Sequence, residues 1–279
     1  MKKLNLVKLL AVLLVFNCSS DDNSNNTESQ KTRIAKIEQK IFDFNNNSLL
    51  EERIVIDYSD GKQILWSFYN NNDDLTFTEE WNYSSIGYLI SIKSFLADGS
   101  PYSEEYIIYD DDNRISQTTY SDTDSFNKTI SFKHNNDNTI TANIDSNGAN
   151  SSKVFELNSN GVIYKEIRNG NIIVSVDYNN LNPITKTTSF TTYSYEYLDN
   201  GSFPSTWSSI FGTNPANVVL FGNSLSDQSD SLTSELISKI TSDSSSKEFI
   251  YSLDDNGYPI SMQSFYDGNL RNEFKYTYE

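Results

Sequence analysis

Along most of the chain, apolar or aromatic residues alternate with polar ones in short runs, the period of strands with one face buried and one wet. The C-terminal end is the clearest case. Phe249 to Leu253, Tyr258 to Phe265 and Phe274 to Tyr278 alternate, with Asp254-Asp255-Asn256-Gly257 and Asp267-Gly268-Asn269 between them. Asn and Gly tolerate the positive φ of a tight hairpin turn, so the unit reads strand, acidic turn, strand, glycine turn, strand. The same rhythm begins at Ile34 to Phe44 and runs through Glu51 to Tyr58, Gln63 to Tyr69, Tyr88 to Phe95 and Glu104 to Tyr109. Ile64, Trp66 and Phe68 share one face of their strand, and Phe77, Glu79, Trp81 and Tyr83 share one of the next, which sets Trp66 and Trp81 on the same side of neighbouring strands.

Turns rich in Asp and Asn recur at Asp111-Asp112-Asn113, Asn136-Asp137-Asn138, Asn158 to Gly161 and Asn180-Leu181-Asn182, a repeat of about two strands and two turns. Turns of one kind therefore fall on one edge, and the strands form a long antiparallel meander. Thr139, Thr141 and Asn143 oppose Ile140, Ala142 and Ile144, a clean split into a wet and an apolar face. Few helices are available to cover the apolar face, so the expected fold is all-β, curled into an open barrel or folded over as a sandwich. Residues 33–279 form one domain in this reading. The strand rhythm lapses in 202–246, where Leu232, Leu236, Ile237 and Ile240 stand at helical spacing behind Asp230 or Ser231 as cap, predicting one short helix over about 231–240.

The N-terminus is of another kind. Met1-Lys2-Lys3 precedes the apolar run Leu9 to Phe16, too short to span a bilayer as a helix, and the run ends at Asn17-Cys18. This resembles a bacterial lipoprotein signal: residues 1–17 would be removed and Cys18 lipidated, tying the chain to a membrane. The alternative is an ordinary secretory signal with an incidental cysteine. Residues 18–32 are polar and acidic, a flexible tether. They resemble the post-cysteine signal that sends Bacteroidetes lipoproteins to the outer face of the outer membrane.

Composition narrows the chemistry. Aromatics make up 13% of the chain, with 18 Tyr and 16 Phe, so rings must supply much of the burial. Net charge is −17, and the leader carries three of the lysines, so a mature chain is more acidic still and would repel nucleic-acid phosphates. One cysteine and one histidine rule out a disulfide framework and a Cys/His zinc site. His134, in the polar run Lys133 to Asp137, reads as a surface histidine at a turn.

Three sets of residues remain as candidates. In the acidic pairs Glu51-Glu52, Glu79-Glu80 and Glu104-Glu105, strand neighbours point to opposite faces, so no pair supplies both carboxylates of a glycosidase site. Asp110, Asp112, Asp254 and Asp255 offer oxygens for calcium, although such clusters are turn formers first. Trp66, Trp81 and Trp207 could stack on sugar rings or fill the core.

The segments YIIYDDDNRISQTTY, FELNSNGVIYKEI and FIYSLDDNGYPISMQSF resemble the tyrosine–aspartate (YD) repeat of Rhs-type proteins and of small Bacteroidetes envelope lipoproteins, with Tyr109-Asp110 and Ile115, and Tyr251, Gly257 and Ile260, matching most closely. The Asn214-Pro215 loop before the closing hairpins also resembles a segment of those lipoproteins. The resemblance implies a β-repeat scaffold with no cofactor and no catalysis. The expected function is a lipid-anchored, cell-envelope binding or interaction module without catalytic activity, accessory to an outer-membrane complex, with an outer-membrane protein or a glycan as partner. The competing readings are a surface glycan-binding protein and, last, a glycosidase.

Overall fold

The computed structural model describes residues 33–43, 50–199, 210, 211, 214–228, 230, 233 and 235–279. Eighteen antiparallel strands lie among them: β1 (Ile34–Phe42), β2 (Leu50–Ser59), β3 (Lys62–Asn70), β4 (Leu75–Tyr83), β5 (Leu89–Leu96), β6 (Pro101–Tyr109), β7 (Ile115–Asp122), β8 (Asn127–His134), β9 (Thr139–Ser146), β10 (Ala149–Leu157), β11 (Ile163–Arg168), β12 (Asn171–Asn179), β13 (Asn182–Thr188), β14 (Thr192–Tyr197), β15 (Ile237–Thr241), β16 (Ser246–Leu253), β17 (Pro259–Tyr266) and β18 (Asn269–Tyr278). Each pairs with its sequence neighbours, and β18 pairs back onto β1, with Tyr276 opposite Ile37 and Phe274 opposite Gln39. The sheet is therefore a closed up-and-down barrel, not the open barrel or sandwich expected from the pattern. Closure pairs the two strands that an open meander would leave as edges.

The expected helix over 231–240 is corrected as well. Ile237–Thr241 is strand β15, bridging β14 and β16, with Ile240 paired to both Tyr195 and Lys247. A helix there would leave β14 and β16 without a shared neighbour, so the ladder overrides the helical spacing. The helices lie earlier, at Ala216–Gly222 and Leu225–Gln228.

The repeat has a physical basis in the turns at one end of the barrel. Asp110 Oδ1 accepts from the amides of Asp112 and Arg114, Asn158 Oδ1 from Asn160 and Val162, and Asp254 Oδ1 from Asn256 and Tyr258, all at 2.8–3.0 Å. Asn113 and Gly257 take the left-handed conformation these turns need, at φ 59° and 82°. Five strand-end tyrosines close the splayed ends of hairpins. Tyr83 donates to the Gln63 carbonyl, Tyr109 to Leu89, Tyr197 to Pro183, Tyr251 to Ile237 and Tyr278 to Pro259, at 2.6–3.0 Å. Between β5 and β6 the ladder runs from Phe95 to Ser91, which pairs with Tyr106; Tyr109 then reaches Leu89, beyond the last pair. His134 takes the tyrosine's place on β8. Its Nε2 lies 3.0 Å from the Ile115 carbonyl, so it is a half-buried strand-end residue and not a surface histidine at a turn. Tyr178 holds the same position on β12, but its hydroxyl is buried without a partner.

The faces divide sharply. On β9 the inward Ile140 and Ala142 are 1% and 0% exposed, while Thr141, Asn143 and Asp145 point out. Lys133, Glu80, Glu104 and Glu248 also lie on the outer wall, with single exposed isoleucines such as Ile64, Ile108 and Ile250 between the charges. A barrel in lipid wears a continuous apolar band, and charged residues there cost about 2–4 kcal/mol each at the midplane. Strands β14 and β15, at 6 and 5 residues, are also shorter than the ~9–11 a bilayer requires. The wall is built to face water.

The tyrosine bonds predict unequal costs. Removing the Tyr109 hydroxyl (Tyr109→Phe) breaks a bond and loses about 1 kcal/mol in urea unfolding, whereas Tyr178→Phe removes an unpartnered buried hydroxyl and is neutral or stabilising.

Candidate functional site

An eight-stranded barrel is filled by its own side chains, but sixteen to eighteen strands leave a lumen. Here the chain fills one half of it. The segment between β14 and β15 enters at the end that carries the Asp/Asn turns, and its helices pack Ala216, Val218, Val219, Leu220 and Leu225 against Leu89, Ile115, Ile140, Phe155 and Ile163, all buried. Asn217, fully buried, fixes the entry. Its Oδ1 accepts from the Ile115 amide at 2.8 Å, and its Nδ2 donates to the Asn113 and Phe211 carbonyls.

Two lysines hold the deepest part of the plug. Lys153, from β10, donates to the carbonyl of Asn223 and lies 3.3 Å from Glu166 Oε1. Glu166 also accepts from the Leu225 amide at 3.0 Å and pairs with Arg168 at 2.7 Å. Across the plug, Lys186 donates to the Ser226 carbonyl at 3.0 Å and to Asp230 at 3.2 Å, and Tyr195 donates to the same carboxylate at 2.7 Å. Thr233, bonded to Asn182 at 2.8 Å, anchors the segment as it leaves. Burial pushes the Lys153 ammonium down, with Glu166 opposing and Arg168 assisting, to about 8. Burial pushes the Glu166 carboxyl up, but Lys153, the Leu225 amide and Arg168 together hold it below the ordinary range.

Beyond the plug the lumen is wetter. Along β9 the inner face passes from Ile140 and Ala142, buried, to Ile144 and Ser146, half-buried; on β8, Ile130 and Phe132 are buried and Lys128, nearer the far end, is half-buried. Phe68, Phe77, Tyr193 and Lys247 lie at the same far level, also half-buried. Among the described residues, 223–228 and 230 thus lie between a closely packed half and a half whose inner faces are more exposed, toward the end opposite the Asp/Asn turns. The β2–β7 wall of this more exposed half is aromatic: Trp66 stacks on Trp81 at 5.5 Å and 11°, and Phe68, Phe77 and Tyr102 continue the row toward the mouth.

The residues singled out in the sequence fall as follows. Trp66 is buried, its Nε1 donating to Gln63 at 3.1 Å, and Trp81 is packed between Trp66 and Phe221. Both belong to the core side of the row, and its more open members are Phe68, Phe77 and Tyr102, which the strand pattern alone does not distinguish from core rings. Trp207 and Cys18 lie outside the described residues. Asp110 is taken up by its turn and by Arg114, which Asp112 also pairs with, and Asp254 caps its own turn. Asp255 is exposed beside it, and no group of three potential metal ligands occurs among the described residues. In the acidic pairs, Glu79 and Glu105 share the inner face with Trp66 and Ile92, while Glu80 and Glu104 face out. The interior lysines were missed because single lysines in a strand pattern give no sign of direction until the register is known.

No family model and no curated protein matches the chain. Among solved structures it is similar to a porin-like protein from Bacteroides uniformis, at 15% identity and a TM-score of 0.43, over 88% of this chain and 96% of that one.

The buried lysine sets a pH signature. Because Lys153 titrates at about 8 in the folded chain, the unfolded chain binds more protons between pH 8 and 10, and stability rises with pH over that window by on the order of 2 kcal/mol. Above about pH 10 the slope reverses. Burial holds phenols such as Tyr58 and Tyr251 protonated in the folded barrel, while those of the unfolded chain ionise. Urea unfolding from pH 7 to 11 should show the maximum, and Lys153→Met should reduce the rise, leaving what the Lys247 ammonium, also lowered by burial, contributes.

Proposed function

We propose that this protein is a non-catalytic binding module, tied to the outer membrane by a lipid on Cys18, that receives its ligand in the open half of a water-facing barrel. The observation that carries the reading is the change along single strands from fully buried to half-buried inner faces, as from Ile140 to Ser146 on β9. A barrel needed only as a scaffold gains nothing from an unfilled half. The resemblance to lipoprotein signals, the acidic tether and the YD-like turns support the anchored, envelope-located part. The β1 start lies at the plugged end of the barrel, so a tether running from it to a membrane leaves the mouth at the far end.

A surface glycan is the ligand class that the aromatic wall favours, since Phe68, Phe77 and Tyr102 present ring faces and edges near the mouth as sugar-binding platforms do. Docking to an outer-membrane protein is the second reading, favoured by the exposed Ile64, Ile108 and Ile250 on the outer wall. No cofactor enters either reading, and nucleic acid is disfavoured by charge.

Cys18→Ala should shift the protein from the membrane fraction to the soluble fraction, because one alteration removes the only lipid acceptor. A variant still recovered with membranes would contradict the anchor. On a glycan array the wild-type chain should give saturable signals that Phe77→Ala reduces at least fivefold, without bond cleavage in the bound glycans. Uniform silence together with stoichiometric copurification of a membrane protein would favour the docking reading, and cleavage products would favour a glycosidase.

A further inference from the structure

Three side chains on the inner face, toward the open end, form a hydrogen-bonded ladder across β1, β18 and β17. Gln39 donates from Nε2 to Asn272 Oδ1 at 3.0 Å, and Asn272 donates from Nδ2 to Ser264 Oγ at 2.8 Å. The register sets all three inward. Gln39 stands opposite Phe274, two residues from the core pair Ile37 and Tyr276, and Asn272 stands opposite both Ile41 and Ser264. Gln39 and Ser264 are 2% and 1% exposed, whereas Asn272 between them is half-buried and faces the lumen.

Packing alone does not call for polar groups here. The strand partners Ile54, beside Gln39, and Phe249, beside Ser264, are buried and apolar. Burying an amide and a hydroxyl among them costs stability unless each hydrogen-bonding atom is met. One is not: Gln39 Oε1 is buried without a partner among the described residues.

Asn272 has capacity left as well. An amide carries two N–H groups and two lone pairs on its oxygen, and Asn272 uses one of each on its two neighbours. Those two bonds fix the plane of the amide, so the remaining N–H and lone pair are held in a set orientation. A group that answers Asn272 and Gln39 Oε1 together must both donate and accept. A hydroxyl does both, whereas a carboxylate only accepts. Charged side chains of both signs flank the ladder, Glu52 opposite Ile41 and Lys247 two residues before Phe249, so the choice of ligand falls to hydrogen bonding. Ring surface lies alongside. Phe274 is half-buried, its ring parallel to that of Tyr276 at 6.3 Å, and Phe68 shares a register row with Gln39 through Ile54, two strand spacings or about 10 Å away.

We propose that Asn272, held in place by Gln39 and Ser264, forms the hydroxyl-binding side of the lumen, taking two neighbouring hydroxyl groups of an uncharged sugar whose ring lies against Phe274. One hydroxyl accepts from Asn272 Nδ2, and the other donates to the free lone pair of Asn272 Oδ1. This inference rests on the reading that ligand enters the open half of the barrel, and it adds the chemistry recognised there and the residues that recognise it.

The test is calorimetric titration of the full chain with glucose, galactose and mannose at millimolar concentration. At least one should bind saturably, and acetate at equal concentration should not displace it. Asn272→Leu should weaken that sugar at least tenfold and Gln39→Met at least threefold, while Lys133→Met, on the outer wall, should change nothing. Circular dichroism confirms that each variant is folded. In wild type, the side-chain NH2 resonances of Asn272 should move with added sugar and not with acetate, a readout that stands if the substituted chains fail to fold. Binding unchanged in Asn272→Leu, displacement of the sugar by acetate, or no saturable binding of any of the three hexoses overturns the amide site. Glycan-array signals that still depend on Phe77 would then leave the open half as a binding site, and silence toward every glycan and hexose would remove both readings.

Discussion

The constraint on which this structure depends is the width of a closed eighteen-stranded ring in water. Pairing β18 with β1 satisfies every strand but encloses more space than strand side chains fill. With threonine, aspartate, lysine and glutamate outside among single exposed isoleucines, most of the apolar surface must be buried inward, and an empty apolar lumen is not sustainable. The chain answers with its own residues. The described part of the segment between β14 and β15 packs the helices Ala216–Gly222 and Leu225–Gln228 against the strand starts, and the chain completes the ring as β15.

That solution brings polar backbone into the interior and so requires polar partners there. The turn at 223–226 exposes carbonyls and an amide at mid-depth, and Lys153, Lys186 and Glu166 meet them. Each lysine carries a carboxylate of its own, one from the wall and one from the plug, as buried charges demand. The interior is thus divided by a hydrogen-bonded floor: apolar and filled on one side, polar, aromatic and partly wet on the other. The sequence pays for this with lysines inside a chain whose net charge is −17.

How far this was legible varies with the range of the interaction. The alternation of Thr139 to Ile144 fixes which side of β9 is buried, and Asp254 to Gly257 fixes a turn, because both depend on residues next to one another. Closure was not legible, since nothing local distinguishes a strand at an edge from one that meets its partner more than two hundred residues away, as Gln39 meets Asn272. The helix expected over 231–240 failed for a related reason: Ile237 and Ile240 suit a helix or a strand, and only the gap between β14 and β16 decides. Of the candidate site, the tryptophans were visible by type but their burial was not, and the lumen lysines had no local signature at all.

The measurement that bears most directly on this account is the accessibility of Thr141, at the middle of the outer face of β9. With a cysteine placed there in the full-length chain on intact outer membranes, a membrane-impermeant maleimide should label it at the rate of an exposed residue, with or without detergent, because water lies against the wall. Protection that is lifted only when detergent dissolves the bilayer would mean that lipid lies there instead, and the water-facing barrel with its filled and open halves would have to be abandoned.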